Sequence, residues 1–490
     1  MIFSATKRLQ ATMDMATSYE EWSEAAKAHD KASGVDKWKQ SDESKYFDYE
    51  SIRRRFERLK KMKAEGDCNG VLFALNEGVH GNIDGMGHGR LHGKAKFGTK
   101  RLIDDYVTEV VSALDMIASD ECDIPFDERL DFFRRAQHCN GCTALMMSGA
   151  GSLLFFHVGV VKALWQAELL PDIMSGSSGG SLVGGLVSTQ NDRAIKKFFK
   201  PENLVNEIER EQGLLRHLDA FKPEVADTDE LYEIIKRFVP DLTFLEAFKK
   251  TGRHLNVSIA AAEKHQTSRL LNAITTPNVY VREAVMASTA IPGFFPAVKL
   301  AAKNARGRRQ PYLPSRRWVD GSISDDLPAK RLARVYGVNH FIVSQVNPHM
   351  IPFVSDNEGK KQNAISHVKQ AARATAREWL NAGASIIEKP LQLNPLVGRL
   401  TNVALGVINQ DYVGDINILP EKRFFNPMKL LAHRPIEEVV DLIEMGERAT
   451  WPKIEQIRVQ TRISRKLNAI LANIDRGIVR INSEITRRAS

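Results

Sequence analysis

Two short glycine-flanked segments carry side chains suited to ester chemistry. Gly176-Ser177-Ser178-Gly179-Gly180 is a GxSxG, preceded by the apolar run Asp172-Ile173-Met174 and followed by Leu182-Val183-Gly184-Gly185-Leu186. Small neighbours let the chain bend sharply at the serine and expose its hydroxyl as a nucleophile. A helix starting there aims its N-terminal amides and positive dipole end at the site, which favours developing negative charge. The second segment, Gly149-Ala150-Gly151, also lies between an apolar run and a helical pattern. Such a loop can point consecutive N–H groups at one oxygen, and each donor to a tetrahedral oxyanion is worth ~3 kcal/mol. A nucleotide-phosphate turn is the competing reading, but the chain has no GxGxxG or GxxxxGK[ST].

A serine nucleophile needs a base. Histidines follow it at His217, His254, His265, His340, His349, His367 and His433, none in a distinguishing context. Asp320 has one: Trp318-Val319-Asp320-Gly321-Ser322 ends a short apolar run with an acid beside glycine. A carboxylate there could take the serine proton directly, without an imidazole. Read alone, Asp320-Gly321 is better explained as an ordinary turn.

Alternating apolar runs and helical patterns must position these residues. Ala144–Met147, Asp172–Met174, Leu255–Ile259, Trp318–Val319 and Phe341–Ser344 read as strands separated by helices. That pattern implies an α/β core with a mainly parallel sheet covered on both faces. The expected organisation is a helical N-terminal domain over 1–140, a catalytic core over 141–350 and a helical C-terminal region over 351–490. In the N-terminal part Trp22, Trp38 and Tyr46-Phe47-Asp48-Tyr49 are expected to pack one helical hairpin, and Leu102–Ile117 reads as an amphipathic helix. At the other end, Ile463, Leu467, Ile470, Ile474, Ile478, Ile481 and Ile485 form a stripe on a basic helix. It could lie in a membrane interface or pack on the protein, and packing is the preferred reading.

Composition bounds the remaining choices. The 490 residues are 43% hydrophobic and 26% charged, which excludes a wholly disordered or fibrous chain. A net charge of +9 suits an anionic lipid surface or nucleic acid, but no nucleic-acid recognition motif accompanies it, so no nucleic-acid partner is expected. Cys68, Cys122, Cys139 and Cys142 are too sparse for a disulfide framework and point to a reducing compartment. Cys139-x-x-Cys142 stands alone, and His80, His88 and His92 lack companion ligands, so no metal is expected. The N-terminus carries no secretory apolar run. The uncharged stretch 136–161 is interrupted by polar residues and glycines, so neither a signal peptide nor a transmembrane helix is expected. The expected location is intracellular, either cytoplasmic or peripherally associated with a membrane.

Taken together, Gly149-Ala150-Gly151, Gly176-x-Ser178-x-Gly180, Ala287-Ser288-Thr289-Ala290-Ile291-Pro292 and Asp320-Gly321 resemble the patatin-like phospholipase family in order and context. The flanks narrow this. Residues 15–140, with Trp22, Trp38, Tyr46–Tyr49 and Gly98–Tyr106, resemble the N-terminal domain of unknown function attached to fungal and plant triacylglycerol lipases of that family. Gln410–Ile416 is similar to a downstream segment of the same lipases, and the resemblance fades after about residue 425.

The resemblance implies a patatin-like three-layer core and a Ser178–Asp320 dyad, with Ser178 as nucleophile and Asp320 as base. It places the oxyanion hole at Gly149, Ala150 and Gly151 and the nucleophile elbow at Gly176 and Gly180, with no cofactor. The implied substrate is triacylglycerol or a related acyl lipid at a lipid-droplet or membrane surface. A phospholipase of the same mechanism and a non-catalytic lipid-surface protein are the alternatives. Two positions depart from the common family loop: Ala150 replaces a glycine and Leu153 stands where a basic residue often occurs, as in the lipase branch. His157 with Lys162 is similar to an HxxxxD acyltransferase motif, but lysine replaces the aspartate, and His157 reads better as a helix residue beneath the loop.

Overall fold

The computed structural model describes residues 2–200, 228–263, 268–292, 295–346, 414–421 and 434–489. The core sheet contains β1 (Cys142–Met147), β2 (Ile173–Gly176), β3 (His254–Ala261) and β4 (Arg269–Asn272). A separate two-stranded ribbon, β5 (Leu300–Lys303) and β6 (Arg309–Tyr312), follows. β7 (Trp318–Asp320), β8 (Val338–Ser344) and β9 (Ile416–Ile418) complete the sheet.

The strand order is β4-β3-β2-β1-β8-β9, with β7 paired to β3. The β1–β2, β2–β3, β1–β8 and β8–β9 pairs are parallel, whereas β4 and β7 run antiparallel to β3. The sheet is therefore mainly parallel, as the alternation of patterns implies. It takes one strand, β9, from beyond residue 350.

Successive side chains on a strand point to opposite faces, and the two faces of β1 show the layering. Leu145 and Met147 join a core with Phe156, Val160 and Leu164 of the helix Leu154–Gln166 and with Ile443 and Ile457 of the C-terminal helix. Ala144 and Met146 pack on the other face with Leu327, Leu332 and Val343. Further along, Leu255, Val257 and Ile259 of β3 meet Val281, Ala284 and Val285 of the helix Val281–Thr289. Helices thus cover both faces.

The N-terminal region is helical, and Arg101–Ala118 is its central amphipathic helix, burying Leu102, Ile103, Tyr106, Val107, Val110 and Leu114. The C-terminal helix, Ile436–Ala489, spans both units. Its Ile463, Leu467, Ile470 and Leu471 are buried in the N-terminal core beside Val110, Phe132 and Phe133. The described part of the isoleucine stripe is thus packed, while the side chains from residue 478 onward lie outside what is described. Trp22 departs from the hairpin expectation: it packs with Ala163 and Trp451, not with Trp38, because its helix face meets the core domain. Among the described residues no helix is long and apolar enough to cross a membrane.

Candidate active site

Parallel strands bring their carboxyl ends to one edge, where loops can converge on a crevice. Met147 is in register with Gly176 of β2 and with Ser344 of β8, so the loops after β1 and β2 leave the sheet side by side. β7 enters antiparallel, placing Asp320 opposite Ile259 near the end of β3.

Ser178 sits at the N-cap of the helix Gly179–Thr189 with φ 50° and ψ −124°. Positive φ at a non-glycine residue costs of order 1–3 kcal/mol and persists only where surrounding structure enforces it. Here the enforcement is visible. The Ser178 N–H donates to Ser288 Oγ at 2.9 Å, and Ser288 Oγ–H donates to the Ser258 carbonyl at 2.8 Å. The Ser178 carbonyl accepts from the Ser181 amide and hydroxyl at 2.9 and 2.7 Å. Glycine is required on either side: a Cβ on Gly176 would lie 2.3 Å from the Gly180 carbonyl oxygen, and one on Gly180 would lie 2.6 Å from that of Met147. Gly176 and Gly180 therefore form the tight turn expected of them.

Asp320 is brought to this serine. It is 2% exposed, and its Oδ1 accepts the Ser322 N–H at 2.8 Å. Burial raises its pKa from 3.8 to about 6, against the lowering effects of Ser322 and of the Ser178 side chain. Such a carboxyl is ionised at neutral pH, yet far more basic than a surface aspartate. Ser178 itself is 6% exposed.

The Gly149–Gly151 loop lies against the residue after the nucleophile, since a Cβ on Gly179 would be 3.1 Å from Ala150 Cβ and 3.2 Å from the Gly151 carbonyl oxygen. The Ala150 and Gly151 amides make no hydrogen bond with another described residue. Gly149 differs: its N–H donates to Asp326 Oδ1 at 2.7 Å. Of the three amides expected to serve as donors, that of Gly149 is thus already engaged by a buried carboxyl.

His157 lies beneath that loop. Fully buried, it contacts Ser344 Oγ through Nδ1 at 2.7 Å and the Ser148 carbonyl through Nε2 at 3.0 Å. Burial lowers its pKa to about 4, so it stays neutral. Lys162 pairs with Glu447 of the C-terminal helix at 2.9 Å, which leaves the His157–Lys162 spacing without acyltransferase geometry. Of the downstream histidines, His254 stacks on Phe248 and His340 bonds Thr143 and Gln460. His217, His265, His349, His367 and His433 lie outside the described residues, as do Gln410–Val413 and Gly293–Phe294 of the motif segments. Among the described residues, one group could gather metal-ligand atoms within 4.8 Å: Cys68, Cys122 and Asp123, in the N-terminal unit and apart from the serine.

Sequence reasoning missed two residues. Ser288 stands in a quoted motif, but nothing in the sequence assigns its hydroxyl to the nucleophile's amide. Nothing in the sequence singles out Asp326, which is buried.

Residues 2–138 match the family described as Domain of unknown function (DUF3336), and residues 145–333 match Patatin-like phospholipase. Triacylglycerol lipase SDP1L of Arabidopsis thaliana is 31% identical over 93% of this chain and 57% of its own length. Triacylglycerol lipase 4 of Saccharomyces cerevisiae is 33% identical over 90% of this chain and 50% of its own length. Triacylglycerol lipase ptl2 of Schizosaccharomyces pombe is 30% identical over 94% of this chain and 74% of its own length. The chain thus spans little more than half of the first two relatives. Among solved structures, VipD from Legionella pneumophila is 14% identical with a TM-score of 0.28, over 68% of this chain and 67% of that one, too slight a likeness to carry an argument.

Proposed function

The chain belongs to the patatin-like family, in the branch that carries a DUF3336 domain, and on that premise we propose that it is a serine acyl hydrolase releasing fatty acids from triacylglycerol. The observation that carries the reading is the buried carboxyl of Asp320 lying close enough to Ser178 for that side chain to lower its pKa. Ionised Asp320 takes the Ser178 proton as Oγ attacks the ester carbonyl. The tetrahedral oxyanion is met by the Ala150 and Gly151 amides, which together supply several kcal/mol at ~3 kcal/mol per donor. Asp320 then returns the proton to the departing alcohol, leaving an acyl-enzyme on Ser178. Water, deprotonated by the same carboxylate, releases the fatty acid and regenerates the serine. No step of this scheme uses a cofactor.

The names of these relatives support triacylglycerol as the substrate class, and on that reading the chain works at a lipid-droplet or membrane surface. The 6% exposure of Ser178 favours a second reading, a lipid-surface protein that does not turn over. Fatty-acid release from matched emulsions of triacylglycerol, diacylglycerol, phospholipid and lysophospholipid separates the readings, with Ser178→Ala as control. Release chiefly from triacylglycerol, lost in the variant, is expected. Release chiefly from phospholipid reassigns the substrate, and silence across the panel supports the binding role.

A further inference from the structure

The proposed chemistry leaves one buried acid unused. Asp326 follows the short helix Ser322–Asp325, six residues beyond Asp320, and is 0% exposed. Its Oδ1 accepts the Gly149 N–H at 2.7 Å, at the start of the loop that carries the Ala150 and Gly151 amides. Its backbone carbonyl oxygen accepts the hydroxyl of Ser177, the residue before Ser178, at 3.1 Å. One residue thus touches the loop after β1 and the turn after β2, and belongs to the turn after β7 that begins at Asp320.

Resting on the hydrolase reading above, we infer that Asp326 is a positioning residue: its carboxyl group holds the Gly149 N–H while its backbone carbonyl holds Ser177, and so it sets the direction of the Ala150 and Gly151 amides. Fixing the Gly149 N–H fixes the peptide plane entering the loop. The next two planes carry the Ala150 and Gly151 N–H groups, the second turned from the first by φ −135° and ψ −26° at Ala150. The loop is held from a second side by Ser322, whose Cβ would lie 3.0 Å from a Cβ on Gly149.

The charge state fits that role. Burial drives the Asp326 pKa well above 3.8, the Gly149 hydrogen bond opposes this, and the charges of Asp320 and Asp325 raise it further. Arg331, the nearby cation, is paired with Asp325 at 3.1 Å. Burial and the neighbouring acids thus favour the neutral carboxyl, which accepts the amide hydrogen bond without placing a full negative charge beside the oxyanion. Asparagine also offers an uncharged oxygen acceptor.

The test uses the full chain and a water-soluble short-chain p-nitrophenyl ester, with kcat and KM measured over about pH 5 to 9. Asp326→Ala is expected to lose kcat by on the order of 100-fold with KM little changed, the size of a lost oxyanion donor. Asp326→Asn is expected to rescue kcat to within roughly tenfold of wild type, since its amide oxygen can accept the Gly149 N–H. If Asp326→Ala does not fold, Asp326→Ser, too short to reach Gly149, carries the same expectation. Wild-type kcat in a folded Ala or Ser variant, or an Asn variant as impaired as they are, would overturn the inference. A wild type no more active than Ser178→Ala would instead overturn the hydrolase reading beneath it.

Discussion

Asp320→Asn is expected to do two opposite things, stabilising the fold while abolishing hydrolysis. The carboxyl is 2% exposed, and its pKa is raised from 3.8 to about 6, with burial as the first cause. Between those values the folded chain binds a proton that the unfolded chain has released, so stability falls as pH rises. Above about pH 6 the full cost is present, and the gap corresponds to about 3 kcal/mol. Asparagine is never ionised and can still accept the Ser322 amide, so it removes most of that cost. The assay is paired thermal unfolding of wild type and variant at pH 8 and pH 3.5. At pH 8 the variant should unfold several degrees higher, at roughly 2–4 °C per kcal/mol for a mid-sized domain. Below the ordinary carboxyl range both forms are neutral and the gap should close. A variant less stable at pH 8, or a gap of equal size at both pH values, would refute the reasoning that burial of a charged Asp320 is a standing cost of the site.

Further outcomes follow from the same geometry. In wild type, kcat/KM should rise with pH through about 6 as Asp320 becomes a base, and an acid limb centred instead near the ordinary carboxyl value would remove its raised pKa from the account. Ser288→Ala leaves the Ser178 N–H and the Ser258 carbonyl without their partner. At about 1–3 kcal/mol per unsatisfied buried group, a urea titration should show roughly 2–6 kcal/mol of lost stability. His157→Gln keeps a donor and an acceptor near Ser344 and Ser148, so hydrolysis should fall by no more than about tenfold. A loss as complete as that of Ser178→Ala would bring imidazole chemistry back. Leu467→Asp places a charge in the buried seam between the C-terminal helix and the N-terminal unit. Limited proteolysis should then cut the N-terminal helices several-fold faster, whereas an unchanged digest would mean that seam is not structural.

What the sequence made legible was local. The GxSxG turn is written in residues adjacent to one another, because Gly176 and Gly180 must lack side chains for the chain to bend at Ser178. The parallel sheet is written in short apolar runs spaced by helical patterns, and the 101–118 helix in its periodicity. The illegible parts depend on contacts between residues far apart in the chain. Ser288 reaches Ser178 across 110 positions, and Asp326 reaches Gly149 across 177. Neither residue type signals such a partner, since serines and aspartates populate surfaces everywhere. The oxyanion loop shows the same divide: its small residues revealed the loop, but only the fold shows that Gly149 is anchored while Ala150 and Gly151 are not. Trp22 packs on Trp451 for a related reason, as the C-terminal helix folds back over both units.

The central claim is that Ser178 is a nucleophile activated by Asp320. Its most direct test is the site of covalent attachment of an alkyl fluorophosphonate, read by peptide mass spectrometry on wild type, Asp320→Asn and Ser178→Ala. The account predicts one adduct per chain on the Ser178 peptide, formed much more slowly in Asp320→Asn and absent from Ser178→Ala. An adduct on another residue, or equal labelling of Ser178 with and without the carboxylate, would contradict it.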